Sequence, residues 1–405
     1  MARLSFLARN APFLGAGALL TFGSSFGQTF FISIFAEEIQ DGFGLSHGGW
    51  GLLYTAATTL SAIAVVWAGG LTDRFRVRAL GLWVIPLLAG ACLLMAVAPG
   101  LWTLGAAIFL LRFAGQGMMS HIGRVAIARW FIATRGKALS VANLGFSFGE
   151  AVLPILFVAL LARYDWRLLW AACALAVLLL LPVLLRLLRL ERVPQHAAEE
   201  ESSSGLGARH WTRPEVLRHR LFWLIIPALL GPPAFGTAFF FQQVHYAEIK
   251  GWSHLDLVAL FPLYTAVATG SMLVSGVLID RIGALRLMPI MQVPFIAAFL
   301  LFALVETPAS AAFAIAIFGL STGAMATVPA SFWAEAYGTR HLGAIKAMSV
   351  AIMVFGSAIG PGLTGVLIDA GLGLETQMIG MSVFFAVAGI LSALGIAGAR
   401  RSSGP

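Results

Sequence analysis

Charge is scarce in this chain. Only 11% of its 405 residues are Asp, Glu, Lys or Arg, against 59% that are hydrophobic. A soluble domain carries roughly 25% charged residues, so an aqueous globular fold is excluded and lipid is the solvent. Cysteine is almost missing. Cys92 and Cys173 both fall inside apolar runs, which excludes a disulfide framework and a metal pair and reads them as packing thiols. Long polar stretches are missing too, apart from Arg186 to Arg220, so no extramembrane domain of useful size fits. The sequence contains no P-loop, no H-E-x-x-H and no C-x-x-C. Nucleotide hydrolysis and zinc-protease chemistry are therefore excluded. The expectation is a non-enzyme without metal or cofactor, driven by substrate or ion gradients. No N-x-S/T sequon occurs, which favours a bacterial inner membrane.

What is present is a series of apolar runs. A spanning helix needs about 20 residues, and twelve runs reach that length, at roughly 12–36, 48–71, 79–98, 101–130, 137–162, 166–187, 221–246, 255–279, 286–305, 309–334, 343–368 and 376–398. The first run is too long for a signal-peptide core of about 7–15 residues and no convincing A-x-A site follows, so it reads as span 1. With the N-terminus in the cytoplasm, the inner loops collect Arg74, Arg76, Arg78, Arg124, Arg129, Arg135, Lys137, Arg281, Arg286, Arg340, Lys346, Arg400 and Arg401. The outer side holds only Arg163, Arg167 and Lys250, among Glu37, Glu38, Asp41, Glu248 and Glu306. That asymmetry puts both termini in the cytoplasm. It also accounts for the net charge of +8 as a topology signal, and no nucleic-acid partner is expected.

The string G-x-L-x-D-R occurs twice. Gly69, Leu71, Asp73 and Arg74 carry the first copy and Gly276, Leu278, Asp280 and Arg281 the second. Each ends an apolar run and begins a basic loop. Phe26-Gly27-Gln28-Thr29-Phe30-Phe31 in span 1 parallels Phe235-Gly236-Thr237-Ala238-Phe239-Phe240 in span 7, and Gly145-x-x-x-Gly149 in span 5 parallels Gly356-x-x-x-Gly360 in span 11. The chain therefore reads as an all-α integral membrane protein of two pseudo-symmetric six-helix bundles. Residues 1–187 form the first lobe, 188–220 a cytoplasmic linker and 221–405 the second lobe. The linker contains Glu199-Glu200-Glu201 and Ser202-Ser203-Ser204-Gly205, a composition of flexible chain. Thr212-Arg213-Pro214-Glu215 has the spacing of a capping box with Pro in the first turn, which predicts a short surface helix leading into span 7.

These motifs resemble those of the major facilitator superfamily along essentially the whole chain. Gly69-x-Leu71-x-Asp73-Arg74, with Arg76 and Arg78, is similar to the superfamily's motif between spans 2 and 3, although Arg76 stands where Gly is usual. The second copy keeps that glycine as Gly283. Arg112-x-x-Gly115-Gln116-Gly117 is similar to the span-4 arginine motif, and Gly356-x-x-x-Gly360-Pro361 to a motif that antiporters place in span 5. In span 5 itself the proline position is Glu150, which departs from the drug-antiporter pattern. The resemblance implies a two-lobed bundle that alternates access around a site near the midplane.

Arg112 lies ~16 Å into span 4 at 1.5 Å per residue, near the middle of a ~30 Å hydrocarbon core. A lone charge there costs at least ~2.5–3.5 kcal/mol, so it needs a partner or a water-filled cavity. Glu150 is the one carboxylate deep in any span, at similar depth in span 5. Either the two form a buried pair, static or disrupted by substrate or proton, or Arg112 binds an anionic substrate while Glu150 carries the coupling proton. His121, further along span 4, is a second proton-path candidate or a packing group at the cytoplasmic end. Gln28 in span 1 either contacts substrate or glues helices, since a buried amide must be bonded. Tyr54 and Tyr264 are cavity liners or interfacial aromatics. Gly69, Asp73 and Arg74, with Gly276, Asp280 and Arg281, are candidates for a cytoplasmic gate. Gly145, Gly149, Gly356, Gly360 and Pro361 read as helix-packing positions that allow close approach and sliding. Pro232-Pro233 should break or kink span 7.

The reading is a monomeric secondary transporter of a small solute, moving it by alternating access across the inner membrane. The substrate expectation is a small organic anion, monocarboxylate-like, taken up with protons. One alternative is a proton-coupled exporter of amphiphilic compounds. Another is a transporter-like sensor without flux.

Overall fold

A computed structural model describes residues 2–131, 134–189 and 204–402. The acidic and serine run from Glu199 to Ser203 and the side chain of Asp73 lie outside the described residues. Among the described residues, eleven helices are long and apolar enough to cross a membrane. A twelfth span is a bent pair, Ala8–Gly27 with Thr29–Phe43, broken by 48°. The others are His47–Ala68, Val77–Val97, Leu101–Trp130, Gly136–Leu161, Trp166–Leu187, Arg220–Phe241, His254–Ile282, Ala284–Leu304, Pro308–Tyr337, Leu342–Asp369 and Leu374–Arg401. They are spans 2 to 12 in that order.

In lipid a backbone must satisfy its own hydrogen bonds, which is why apolar runs of this length become helices. Where spans begin, short polar side chains take the free N–H groups. Asp165 accepts from the Arg167 N–H at 2.8 Å before span 6, Ser253 from the Asp256 N–H at 3.2 Å before span 8, and Thr307 from the Ser310 N–H at 3.2 Å before span 10. Two basic residues do the converse job at helix C-termini. Arg167 donates to Ala96 O and Ala98 O at the end of span 3, both at 3.0 Å. Lys250 donates to Ala303 O at the end of span 9, also at 3.0 Å.

The chain divides into two compact units, residues 1–45 with 53–199, and residues 46–52 with 200–405. In the first, span 5 presses onto span 1. A Cβ on Gly145 would lie 1.9 Å from Ala18 O and one on Gly149 2.1 Å from the Ser25 hydroxyl. In the second, span 11 presses onto span 7 in the same way. A Cβ on Gly356 would lie 2.7 Å from Leu230 O and one on Gly360 2.0 Å from Ala234 O. The repeated G-x-x-x-G is thus a close helix–helix contact made once in each unit.

The break expected in span 7 does not occur: the span runs as one helix from Arg220 to Phe241 with Pro227, Pro232 and Pro233 inside it. Pro232 has no N–H for Ala228 O, and Gln292 from span 9 donates to that carbonyl instead at 3.4 Å. Rehousing of freed carbonyls is what lets membrane helices tolerate proline. The break falls in span 1, where no proline marks it. The described end of the linker, from residue 204 on, is docked on its own unit. Gly205 sits so close to Tyr337 and Gly338 that a Cβ would lie 2.5 Å from either backbone. The Trp211 N–H donates to Tyr337 O at 3.0 Å, and Trp211, His219 and Tyr337 form a ring cluster. Helix Arg213–Arg218 starts at the Thr212–Glu215 capping box and sends Val216 into the core with Phe222 and Trp333.

Candidate functional site

The break in span 1 comes from one residue. Gln28 takes an extended backbone, φ −86° and ψ 154°. The N–H of Phe31, which an unbroken helix would give to Gly27 O, goes to Gln28 O at 3.2 Å. Gly27 O is therefore left over inside the unit. Beyond the break the chain is refastened by aromatic packing, with Phe31 5.3 Å from Phe26, 4.9 Å from Phe157 and 5.5 Å from Trp170, ring centre to ring centre.

Span 4 meets the break at its own irregular stretch. Residues Leu111–Met119 wind as a π-helix, a wider turn that often marks functional sites. Gly115 and Gly27 face each other across the crossing. A Cβ on Gly115 would lie 2.7 Å from Gly27 Cα, and one on Gly27 would lie 2.1 Å from Leu111 O. That proximity delivers Arg112 to the gap. Its Nη1 donates to Gly27 O at 3.3 Å and to the Thr29 hydroxyl at 3.1 Å. Its guanidinium carbon stands 5.3 Å from the centre of the Tyr54 ring. The Tyr54 hydroxyl donates to Thr29 Oγ1 at 2.8 Å. Arg112 is 2% exposed, and its Nε has no hydrogen-bond partner. All the groups that hold this cation are uncharged.

Of the residues singled out in the sequence, the structure brings Arg112 and Tyr54 into contact and places Gln28 between the two residues that bond Arg112. Gln28 is half-buried. Glu150 is buried at 8% exposure on span 5, next to Gly149 at the close contact with span 1. His121 is half-buried beside the first G-x-L-x-D-R copy, with its Nε2 3.5 Å from where a Cβ on Gly69 would lie. Tyr264 belongs to the second unit. It is buried, stacked on Phe318 at 5.5 Å and packed against Phe240 at 5.3 Å. Pro361 is buried within span 11.

Around the repeated string, Arg74, Asp280 and Arg281 are exposed, and a Cβ on Gly276 would meet open space. Two polar bonds there come from residues not singled out as gate candidates in the sequence. Arg129, at the end of span 4, donates to Thr72 O. Glu335, near the end of span 10, accepts from the N–H groups of Ala284 at 2.6 Å and Leu285 at 3.2 Å. Thr29, the hub of the Arg112 cluster, was also missed. A threonine beside a buried arginine leaves no sequence signature until the chain break is known.

Up to twelve apolar spans among the described residues, one of them discontinuous beside a buried cation, define an all-α membrane protein. The profile of the Major Facilitator Superfamily matches residues 17–347, so the chain belongs to that superfamily and is a membrane transporter, not an enzyme. Solved structures of similar fold include a bacterial homolog to the human lysosomal transporter Spinster, in its inward-facing and occupied conformation. It is 17% identical, with 94% of this chain and 96% of that one covered and a TM-score of 0.73. The nucleoside transporter NupG is 13% identical, with 96% and 99% covered and a TM-score of 0.70. No curated protein matches the chain.

Proposed function

We propose that this transporter takes up a small organic anion of the monocarboxylate class together with a proton. Arg112 binds the carboxylate and Glu150 carries the proton. The observation that carries this reading is the state of Arg112, a buried guanidinium held by a carbonyl, a hydroxyl and a ring, with Nε unbonded. A cation in that setting lacks charge compensation. A carboxylate supplies it and offers the two acceptor oxygens that a guanidinium fork matches. Glu150, buried in the same unit, lets a proton enter with the anion so that the loaded protein carries no additional buried charge. The exposed Arg74, Asp280 and Arg281, with Gly69, Asp73 and Gly276, mark the cytoplasmic gate in this reading. His121 sits beside it as a secondary proton group. The distribution of basic residues supports an inner-membrane protein with both termini cytoplasmic, acting as a monomer.

The amphiphile-export reading is less well supported. Its motivating rings in span 7, the half-buried Phe235 and the buried Phe239, pack against Phe299, Phe302, Phe318 and Phe385.

Uptake into proteoliposomes tests the proposal. Radiolabelled lactate, pyruvate and benzoate are supplied with an inward proton gradient, and daunomycin serves as the amphiphile control. At least one carboxylate accumulates in wild type. Arg112→Gln loses that uptake at least ten-fold, and Glu150→Gln loses the pH dependence while retaining anion exchange. Carboxylate uptake that survives Arg112→Gln unchanged overturns the anion assignment. Binding without flux in any gradient overturns transport of these compounds and favours a sensor.

A further inference from the structure

Thr29 sits at the centre of the Arg112 cluster and has a valence left over. A hydroxyl accepts two hydrogen bonds and donates one. Both acceptor positions of Thr29 Oγ1 are taken, by Arg112 Nη1 at 3.1 Å and by the Tyr54 hydroxyl at 2.8 Å. The hydroxyl proton must then point away from both donors, and no acceptor receives it among the described residues. Thr29 is 8% exposed, so an unused donor there has a desolvation cost. It is the first residue after the span-1 break, and its neighbour Gln28 is half-buried. The cluster therefore offers two donors with no partner, Arg112 Nε and the Thr29 hydroxyl, on groups already bonded to each other.

We infer that Thr29 is a specificity-determining residue. It holds Arg112 in place by accepting from it and donates its own proton to a carboxylate of the substrate, while Tyr54 fixes the direction of that proton by occupying the other acceptor position. One carboxylate, with four acceptor positions on two oxygens, satisfies both unused donors. A halide or other monoatomic anion has no second acceptor atom at carboxylate spacing and is discriminated against. No bond is made or broken in this step. The inference rests on the proposed anion-binding role of Arg112.

The test measures the affinity of purified protein in nanodiscs for whichever of lactate, pyruvate and benzoate binds wild type most tightly, with chloride as competitor. Thr29→Ser keeps the hydroxyl and should bind within about two-fold of wild type. Thr29→Val keeps the shape and removes the hydroxyl. It should weaken the carboxylate at least ten-fold and chloride competition by a distinctly smaller factor, since chloride loses only the support of Arg112. Tyr54→Phe frees the hydroxyl to rotate and should weaken the carboxylate by less than Thr29→Val does. Thr29→Val with wild-type affinity, beside an Arg112→Gln that has lost binding, overturns this inference and leaves the anion assignment standing. Equal loss of carboxylate and chloride in Thr29→Val also overturns it, because the residue then acts only by supporting Arg112. If Thr29→Val does not fold, Tyr54→Phe decides alone: unchanged carboxylate affinity overturns the proton-direction argument. Failure of all three carboxylates to bind wild type overturns the anion assignment and this inference with it.

Discussion

Adding one methyl group at Gly115 should both destabilise the first unit and disarm Arg112. A Cβ there would stand 2.7 Å from Gly27 Cα and 2.8 Å from Gly27 N, and ordinary contact begins at 3.4 Å. The obstructing atoms are backbone, so no side chain can swing aside. Span 4 has to move away from the span-1 break by about 0.7 Å, and overpacking of this kind typically costs about 1–3 kcal/mol. For a unit of this size, each kcal/mol lowers the melting temperature by about 2–4 °C. The same displacement stretches the Arg112 Nη1 to Gly27 O bond, already 3.3 Å long, past the distance at which it still counts as a hydrogen bond. Gly115→Ala should therefore melt several degrees below wild type in detergent and bind carboxylates more weakly. Gly276→Ala is the matched control, because its Cβ meets open space. A Gly115→Ala protein that melts with Gly276→Ala and wild type would refute the claim that the span 1–span 4 contact sets the position of Arg112.

Three further outcomes follow from contacts elsewhere. Gly360→Ala, whose Cβ would lie 2.0 Å from Ala234 O, should lower the melting temperature by a similar amount, whereas Gly343→Ala, which meets nothing, should not. Glu335→Ala removes the cap on Ala284 and Leu285 and should cost about 0.5–2 kcal/mol, read as a lower melting temperature. The docked linker should loosen in acid. Burial, then the nearby Arg209, hold the His219 imidazole below its usual pKa. The folded state thus binds fewer protons at this site than the unfolded one, and its stability is complete above about pH 6.5 and falls as the pH drops through the folded value. Hydrogen exchange at the Trp211 amide, corrected for its intrinsic pH dependence, should be faster at pH 5.5 than at pH 7.5 in wild type and pH-independent in His219→Phe.

Most of the fold was legible because lipid leaves a chain few choices. Runs of apolar residues had to be helices, and the paired strings announced the duplication. Gly145, Gly149, Gly356 and Gly360 were readable as contact positions, since small residues four apart on a membrane helix usually serve close approach. Thr212 to Glu215 was legible because a capping box is a local device. What escaped were outcomes settled between helices. Proline points to a break, yet Pro232 is accommodated because Gln292 lies within reach of Ala228 O. Gln28 does not point to one, yet span 1 breaks there, beside the Gly27–Gly115 crossing and the aromatic packing of Phe31. Arg112 could be placed at mid-depth by counting residues. Its partners could not, because Gly27 O becomes available only once the helix is broken.

The two copies of G-x-L-x-D-R show how a duplication diverges while keeping one task. In both units the string or the turn after it is tied to the end of a later span of the same unit, but the charges are opposite. Arg129 of span 4 reaches the carbonyl of Thr72, and Glu335 of span 10 reaches the N–H groups of Ala284 and Leu285. The backbone dictates the sign. In the first copy Arg76 is extended, φ −69° and ψ 150°, so any residue fits and glycine is unnecessary. The group tied down there is a helix C-terminal carbonyl, which calls for a cation. In the second copy Gly283 turns at φ +84°, a conformation that disfavours side chains, and a Cβ would in addition lie 2.8 Å from Glu335 Oε1. The group tied down is a helix N-terminus, which calls for an anion. At position 283, glycine leaves room for Glu335, whose carboxylate a Cβ there would meet. Arg129→Glu sets a carboxylate against Thr72 O. It should destabilise the first unit more than Arg129→Ala, which merely leaves that carbonyl to water.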